Sequence, residues 1–154
     1  MVAGRLFKIA AAGVVAMGLG VSLAEAEADD AIKARQACMK ANGKMMGALA
    51  AIFKDEQPYD PAAVTAAMEP EQTACAGWAA FWGEDTMKGE TAETWAKPEI
   101  WSDPAGFKAA GETIYGRFQA LKATADEAGF KAAFLAVGEG CKACHEKFRR
   151  PKEQ

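Results

Sequence analysis

Gly140-Cys141-Lys142-Ala143-Cys144-His145-Glu146 carries two of the chain's four cysteines and its only histidine. On a helix, residues three and four apart share a face, so Cys141, Cys144 and His145 project toward one flat object lying along it. Cys-x-x-Cys-His is the attachment signature of a c-type haem. Two thiols add to the two vinyl groups of a porphyrin, and the adjoining imidazole reaches its iron. Other uses of the same residues fit less well. A zinc site needs about four Cys or His ligands, and no second pair stands at suitable spacing. A thioredoxin-like dithiol wants a βαβ context and leaves the histidine without a use. The stretch therefore predicts one haem c, bound covalently through Cys141 and Cys144, with His145 as a metal ligand.

Outward from the motif the chain is helical in composition. Alanine is abundant, β-branched residues are sparse, and no stretch alternates polar and apolar residues as a strand does. A last helix is expected from Phe130 to Arg149 after Gly129, with Phe134, Leu135, Cys141, Cys144, His145 and Phe148 facing inward. A third helical region begins at Pro98, with a restart or kink at Asp103-Pro104. A second opens with Asp60 as cap and Pro61 in the first turn, where a missing N–H does no harm. Its buried face carries Val64, Ala67, Met68, Cys75, Trp78 and Trp82, and Pro70 is expected to kink or split it. The first helix is expected from Asp29 or Asp30 to Lys54, with Ala34, Ala37, Cys38, Ala41, Met45, Ala48, Leu49 and Ile52 forming one apolar stripe. Gly83 to Lys97 is the longest connection. Four amphipathic helices with mostly short connections predict an all-α, antiparallel up-down-up-down four-helix bundle.

The front of the chain has a different character. Arg5 and Lys8 precede an apolar stretch from Ile9 to Leu23, followed by small-residue cleavage patterns at Ser22-Leu23-Ala24, Ala24-Glu25-Ala26 and Ala26-Glu27-Ala28. This is the layout of a secretory signal over residues 1–28, cut between 24 and 28, with the bundle occupying 29–154. The apolar run is short of the ~20 residues that span a bilayer. Export to the periplasm and no stable membrane insertion after signal removal are the expectations. Losing Arg5 and Lys8 turns 18 basic residues into 16 against at most 21 acidic ones. A mildly acidic chain without a Lys/Arg stripe does not track phosphates, so nucleic acid is not an expected partner.

Several stretches together resemble the class II cytochrome c family, that is, cytochrome c′ and its low-spin relatives. Cys141-Lys142-Ala143-Cys144-His145-Glu146-Lys147-Phe148-Arg149 is similar to the family's C-terminal motif, and Ala34-Arg35-Gln36-Ala37-Cys38-Met39-Lys40 to its first-helix motif. Lys54 to Asp60 is similar to its first turn, and Pro98-Glu99-Ile100-Trp101 to the start of its third helix. The resemblance implies a four-helix bundle with one haem c near one end. It also implies that Met39 points at the face of the haem away from the histidine. The expectation is Met39 sulfur on the iron as a second metal ligand beside His145, which makes the protein a low-spin, His/Met-ligated electron carrier, because such ligation raises the reduction potential. With Met39 merely packed nearby, it is a five-coordinate cytochrome c′ that binds NO or CO. The plain alternative for Met39 is a core methionine filling space.

Arg35 lies four residues before Met39 on the same helical face and offers planar, two-pronged bonding to a haem propionate; the alternative is a solvated position. No catalytic residues are required, and none is assigned. Expected partners are redox proteins of a bacterial respiratory or photosynthetic chain, which Lys142, Lys147, Arg149 and Arg150 would steer. The chain is expected to be a monomer or homodimer.

Haem leaves Cys38 and Cys75 over. They stand nearly equidistant from Gln57, the turn between the first two helices, so an antiparallel hairpin brings them to similar height in an oxidising compartment. A disulfide is predicted, with two buried free thiols as the alternative. Bridging needs Cα atoms within about 7 Å, closer than most helix axes approach, unless small neighbours such as Ala37 and Ala74 allow it.

Overall fold

The computed structural model describes residues 20–151, with side chains from Glu27 onward. Most of the expected signal lies outside the described residues. Helices α1 (Gly20–Phe53), α2 (Pro61–Ala74), α4 (Pro104–Lys122) and α5 (Glu127–Phe148) form a four-helix bundle, with the one-turn α3 (Glu99–Ser102) leading into α4. α1 packs chiefly on α2, and α4 on α5. No described helix is long and apolar enough to cross a membrane.

Local chemistry explains most helix starts. Asp60 accepts a hydrogen bond from the Ala62 N–H with Pro61 in the first turn, Asp103 caps α4 through the Gly106 N–H, and Asp126 caps α5 through the Gly129 N–H. Gly129 thus lies inside the first turn of α5, three residues earlier than expected. Pro70 neither splits nor ends α2; the helix runs through it to Ala74, and the chain breaks instead at Gly77, whose φ of 78° suits glycine. Trp78–Trp82 follows as a separate 3-10 turn.

α1 begins nine residues or more before the expected Asp29, at Gly20. The alanines and glutamates ahead of Asp29 are good helix formers, so nothing local stops the helix there. Asp29 has another use. It is buried, and its carboxylate accepts hydrogen bonds from the backbone N–H groups of Thr91 (3.2 Å) and Ala92 (3.1 Å) and from the Thr91 hydroxyl. These bonds hold the long connection against α1 and keep the Asp29 carboxyl below its ordinary value. A depressed folded pKa contributes stability that is present above the unfolded value and lost as pH falls through the folded one. Amide exchange at Thr91 and Ala92 is therefore expected to accelerate in Asp29→Ala at neutral pH, and in the parent only on acidification below the ordinary carboxylate range. Equal exchange rates in variant and parent at neutral pH would contradict this tether.

The core occupies the half of the bundle nearest the α1–α2 and α4–α5 turns: Leu49, Ile52, Val64, Leu121, Phe130 and Val137 are each 0–3 % exposed. Phe53 stacks on Phe134 with centroids 4.9 Å apart, tying α1 to α5. Leu135, expected inside, is 55 % exposed, while Val137 is fully buried. The helical phase of α5 is set by Phe130 and Val137, which turns Leu135 to solvent. Gly140 lets α5 approach α4 closely: a Cβ there would meet Ile114 Cδ1 at 2.8 Å and Arg117 at 3.1 Å.

Candidate functional site

Toward the other end, the two helix pairs separate and enclose a cleft of about 650 Å³. α5 contributes Cys141, Cys144 and His145 to one wall, and α4 contributes Phe107, Gly111, Ile114, Tyr115 and Phe118. Facing them stand Met39, Asn42 and Met46 of α1, and Met68, Glu71 and Cys75 on the α2 side. The volume lies within the range of clefts that hold an organic cofactor.

The structure brings together Cys141, Cys144, His145 and Met39 in one cleft. Both motif cysteines are free thiols, and burial pushes them above the ordinary thiol value. Burial first, and the Arg149 guanidinium second, hold His145 below its ordinary value, which favours the neutral imidazole. Neutral imidazole is the form that ligates a metal. Met39 is 39 % exposed, whereas Met45 and Met68 are 2 % and 1 % exposed core residues. Met39 is thus a cleft methionine, not a filler of the core. Tyr115, 65 % exposed, lies open on the cleft as well.

Arg35 does not line the cleft, nor is it solvated. It is 4 % exposed, its guanidinium 4.5 Å from the Trp82 ring and 5.8 Å from Trp101, with Nη2 donating to the Thr86 carbonyl. Desolvation lowers its pKa to about 10. Its Nε and Nη1, and the Trp82 Nε1, are buried without partners. Trp82 in turn packs on Trp78 and Phe107, which line the cleft (centroids 4.8 and 4.7 Å). Three orphaned N–H donors one ring behind the cleft fit a cofactor that brings carboxylates, as haem does with its propionates.

Cys38 and Cys75 are joined in a disulfide, with Cα atoms 4.7 Å apart, resolving the two alternatives in favour of the bridge. It forms part of the cleft wall beside Met39. The basic residues behind the motif are less free than their sequence clustering implies. Lys147 pairs with Asp103 at 2.7 Å, Lys142 with Glu146 at 3.8 Å, Arg149 stacks on Trp95 at 4.8 Å, and Arg150 donates to the Thr94 carbonyl. Asn42 and Glu71 escaped notice in the sequence, although they stand three residues after Met39 and four before Cys75, on the helical faces those residues define.

A four-helix bundle with a free Cys-x-x-Cys-His face opening on a cofactor-sized cleft defines a c-type cytochrome of the bundle class. A sequence model of the family described as Cytochrome C' matches residues 30–149. The chain belongs to the cytochrome c′ family, whose members carry one covalent haem c. It is 37% identical over 131 residues to cytochrome c′ of Alcaligenes xylosoxydans xylosoxydans, covering 82% of this chain and 98% of that one. It is 36% identical over 123 residues to cytochrome c-556 of Agrobacterium tumefaciens (strain II Chrys), covering 79% and 98%. Among solved structures, a nitric oxide complex of a mutant cytochrome c prime from Alcaligenes xylosoxidans superimposes with a TM-score of 0.71 at 35% identity, covering 81% of this chain and 97% of that one.

Proposed function

We propose that this chain is a periplasmic haem c cytochrome that takes NO or CO on the side of the cleft facing His145. Cys141 and Cys144 would hold the porphyrin through thioether bonds, His145 would ligate its iron, and the orphaned donors of Arg35 would bind a propionate. When bound, the haem supplies an iron that cycles between ferric and ferrous states and coordinates diatomic gases. The observation that carries the reading is the cleft itself: the three motif residues on one wall, and the mostly apolar side chains of Met39, Met46 and Met68 opposite them. An apolar wall admits neutral diatomics while excluding bulk water. The nitric oxide complex of the related cytochrome c prime is consistent with this use of the fold.

A second reading is favoured by the exposure of Met39 on the cleft. Its thioether would be a sixth ligand, making the protein a low-spin electron carrier that meets a redox protein at the haem edge. The visible spectrum separates the two. The first reading expects a high-spin ferric spectrum at neutral pH and rapid, complete CO binding by the ferrous protein. A far-red sulfur-to-iron band in the ferric protein, abolished in Met39→Leu, would overturn it in favour of the electron carrier.

A further inference from the structure

Lys147, Arg149 and Arg150 follow the motif, and two of them are engaged elsewhere. Lys147 pairs with Asp103, and Arg150 donates to the Thr94 carbonyl. Arg149 differs, because no carboxylate among the described residues pairs with its guanidinium. It stands four residues after His145, and its backbone N–H donates to the His145 carbonyl at 3.0 Å, so the two lie one turn apart at the end of α5. Its own backbone has already left helical geometry, with φ −121° and ψ 134°. The helix by itself therefore does not fix where the guanidinium goes. It goes toward His145: burial, and after it this guanidinium, hold that imidazole below its ordinary value.

The end of the long connection supplies the missing constraint. The Lys97 N–H donates to the Phe148 carbonyl at 3.0 Å and the Arg150 N–H to the Trp95 carbonyl at 2.7 Å, flanking an antiparallel bridge between Ala96 and Arg149. These bonds lock the two segments in register and bring the Trp95 ring to 4.8 Å from the Arg149 Cζ. A guanidinium is held over an indole face by the ring quadrupole. Trp95 is 41 % exposed. So open an indole gains little from burial for its size, and the face it does cover lies against Arg149.

We infer that Trp95 is a positioning residue: it holds the Arg149 guanidinium beside His145, so that one uncompensated positive charge has a fixed place near the haem iron and raises its reduction potential. Ferric haem carries one more positive charge than ferrous haem, so a nearby cation disfavours the ferric state. The inference rests on the haem-binding reading above and holds whether or not Met39 ligates the iron.

The measurement is the midpoint potential of the holoprotein, by spectroelectrochemical titration of the parent, Trp95→Leu, Trp95→Phe, Arg149→Leu and the Trp95→Leu, Arg149→Leu double variant. At a fixed ambient potential, Arg149→Leu is expected to lower the ratio of ferrous to ferric protein about tenfold. Trp95→Leu is expected to lower it about threefold, because the released guanidinium still acts on the iron through water. Trp95→Phe keeps an aromatic face and is expected to stay within about 1.5-fold of the parent. In the Arg149→Leu background, Trp95→Leu is expected to change nothing further. An unshifted potential in Trp95→Leu, or a shift of the same size with and without Arg149, would overturn the proposal. Should Trp95→Leu fail to accumulate as holoprotein, Trp95→Ala carries the same comparison. A parent without covalent haem, seen by mass before any potential is measured, would instead refute the haem-binding reading and take the proposal with it.

Discussion

A Cys141→Ala, Cys144→Ala double variant, exported from a host that matures c-type cytochromes, is expected to show no added haem mass, with any residual haem extracted by acidified organic solvent. The parent is expected to retain all of its haem under the same treatment. The size of the effect follows from bond type: a thioether survives denaturation, whereas the proposed ligation by His145 and contacts with the cleft would not. The polypeptide itself should not collapse. Leu49, Ile52, Leu121, Phe130 and Val137 are packed beyond the cleft, so most of the apolar burial is independent of the cofactor. Far-UV circular dichroism of the double variant is expected to retain most of the parent helicity. Covalent haem in the double variant, or none in the parent, would refute the assignment of these two residues.

Removing the disulfide by Cys38→Ala, Cys75→Ala is expected to cost about 4 kcal/mol of stability, from the chain entropy that a cross-link with 37 residues of sequence separation removes from the unfolded state. For a domain of this size that corresponds to a fall in Tm on the order of 10 °C. Denaturant unfolding of the holoprotein should give the same loss for the variant and for the parent treated with a thiol reductant. Thiol counting on the unfolded, unreduced holoprotein is expected to find no reactive groups, since haem occupies the other two cysteines. Two reactive thiols, or a variant as stable as the oxidised parent, would contradict the bridge. The effect should also reach the cleft, because the bond joins α1 to the α2 side beside Met39.

How much of this was readable beforehand depends on the range of the forces involved. Asp60-Pro61, Asp103-Pro104 and Cys141-Lys142-Ala143-Cys144-His145 act within one or two turns. Their capping bonds and shared face follow from residue spacing alone. Competing long-range demands decided the rest. Asp29 was drawn to the Thr91–Ala92 backbone instead of capping α1, and Leu135 was rotated outward by the packing of Phe130 and Val137. Arg35 turned from solvent to the Trp82 face, leaving two of its donors unmet.

The helical class, the shared face of Cys141, Cys144 and His145, and the equal heights of Cys38 and Cys75 were settled by the order of residues, because each depends on periodicity along one chain. Whether the Cys38 and Cys75 sulfurs could touch, and which polar groups came to line the cleft, were settled by how closely α1 and α2 pack and how the two helix pairs part around it. Those distances arise from many side chains filling space at once, and no local pattern encodes them.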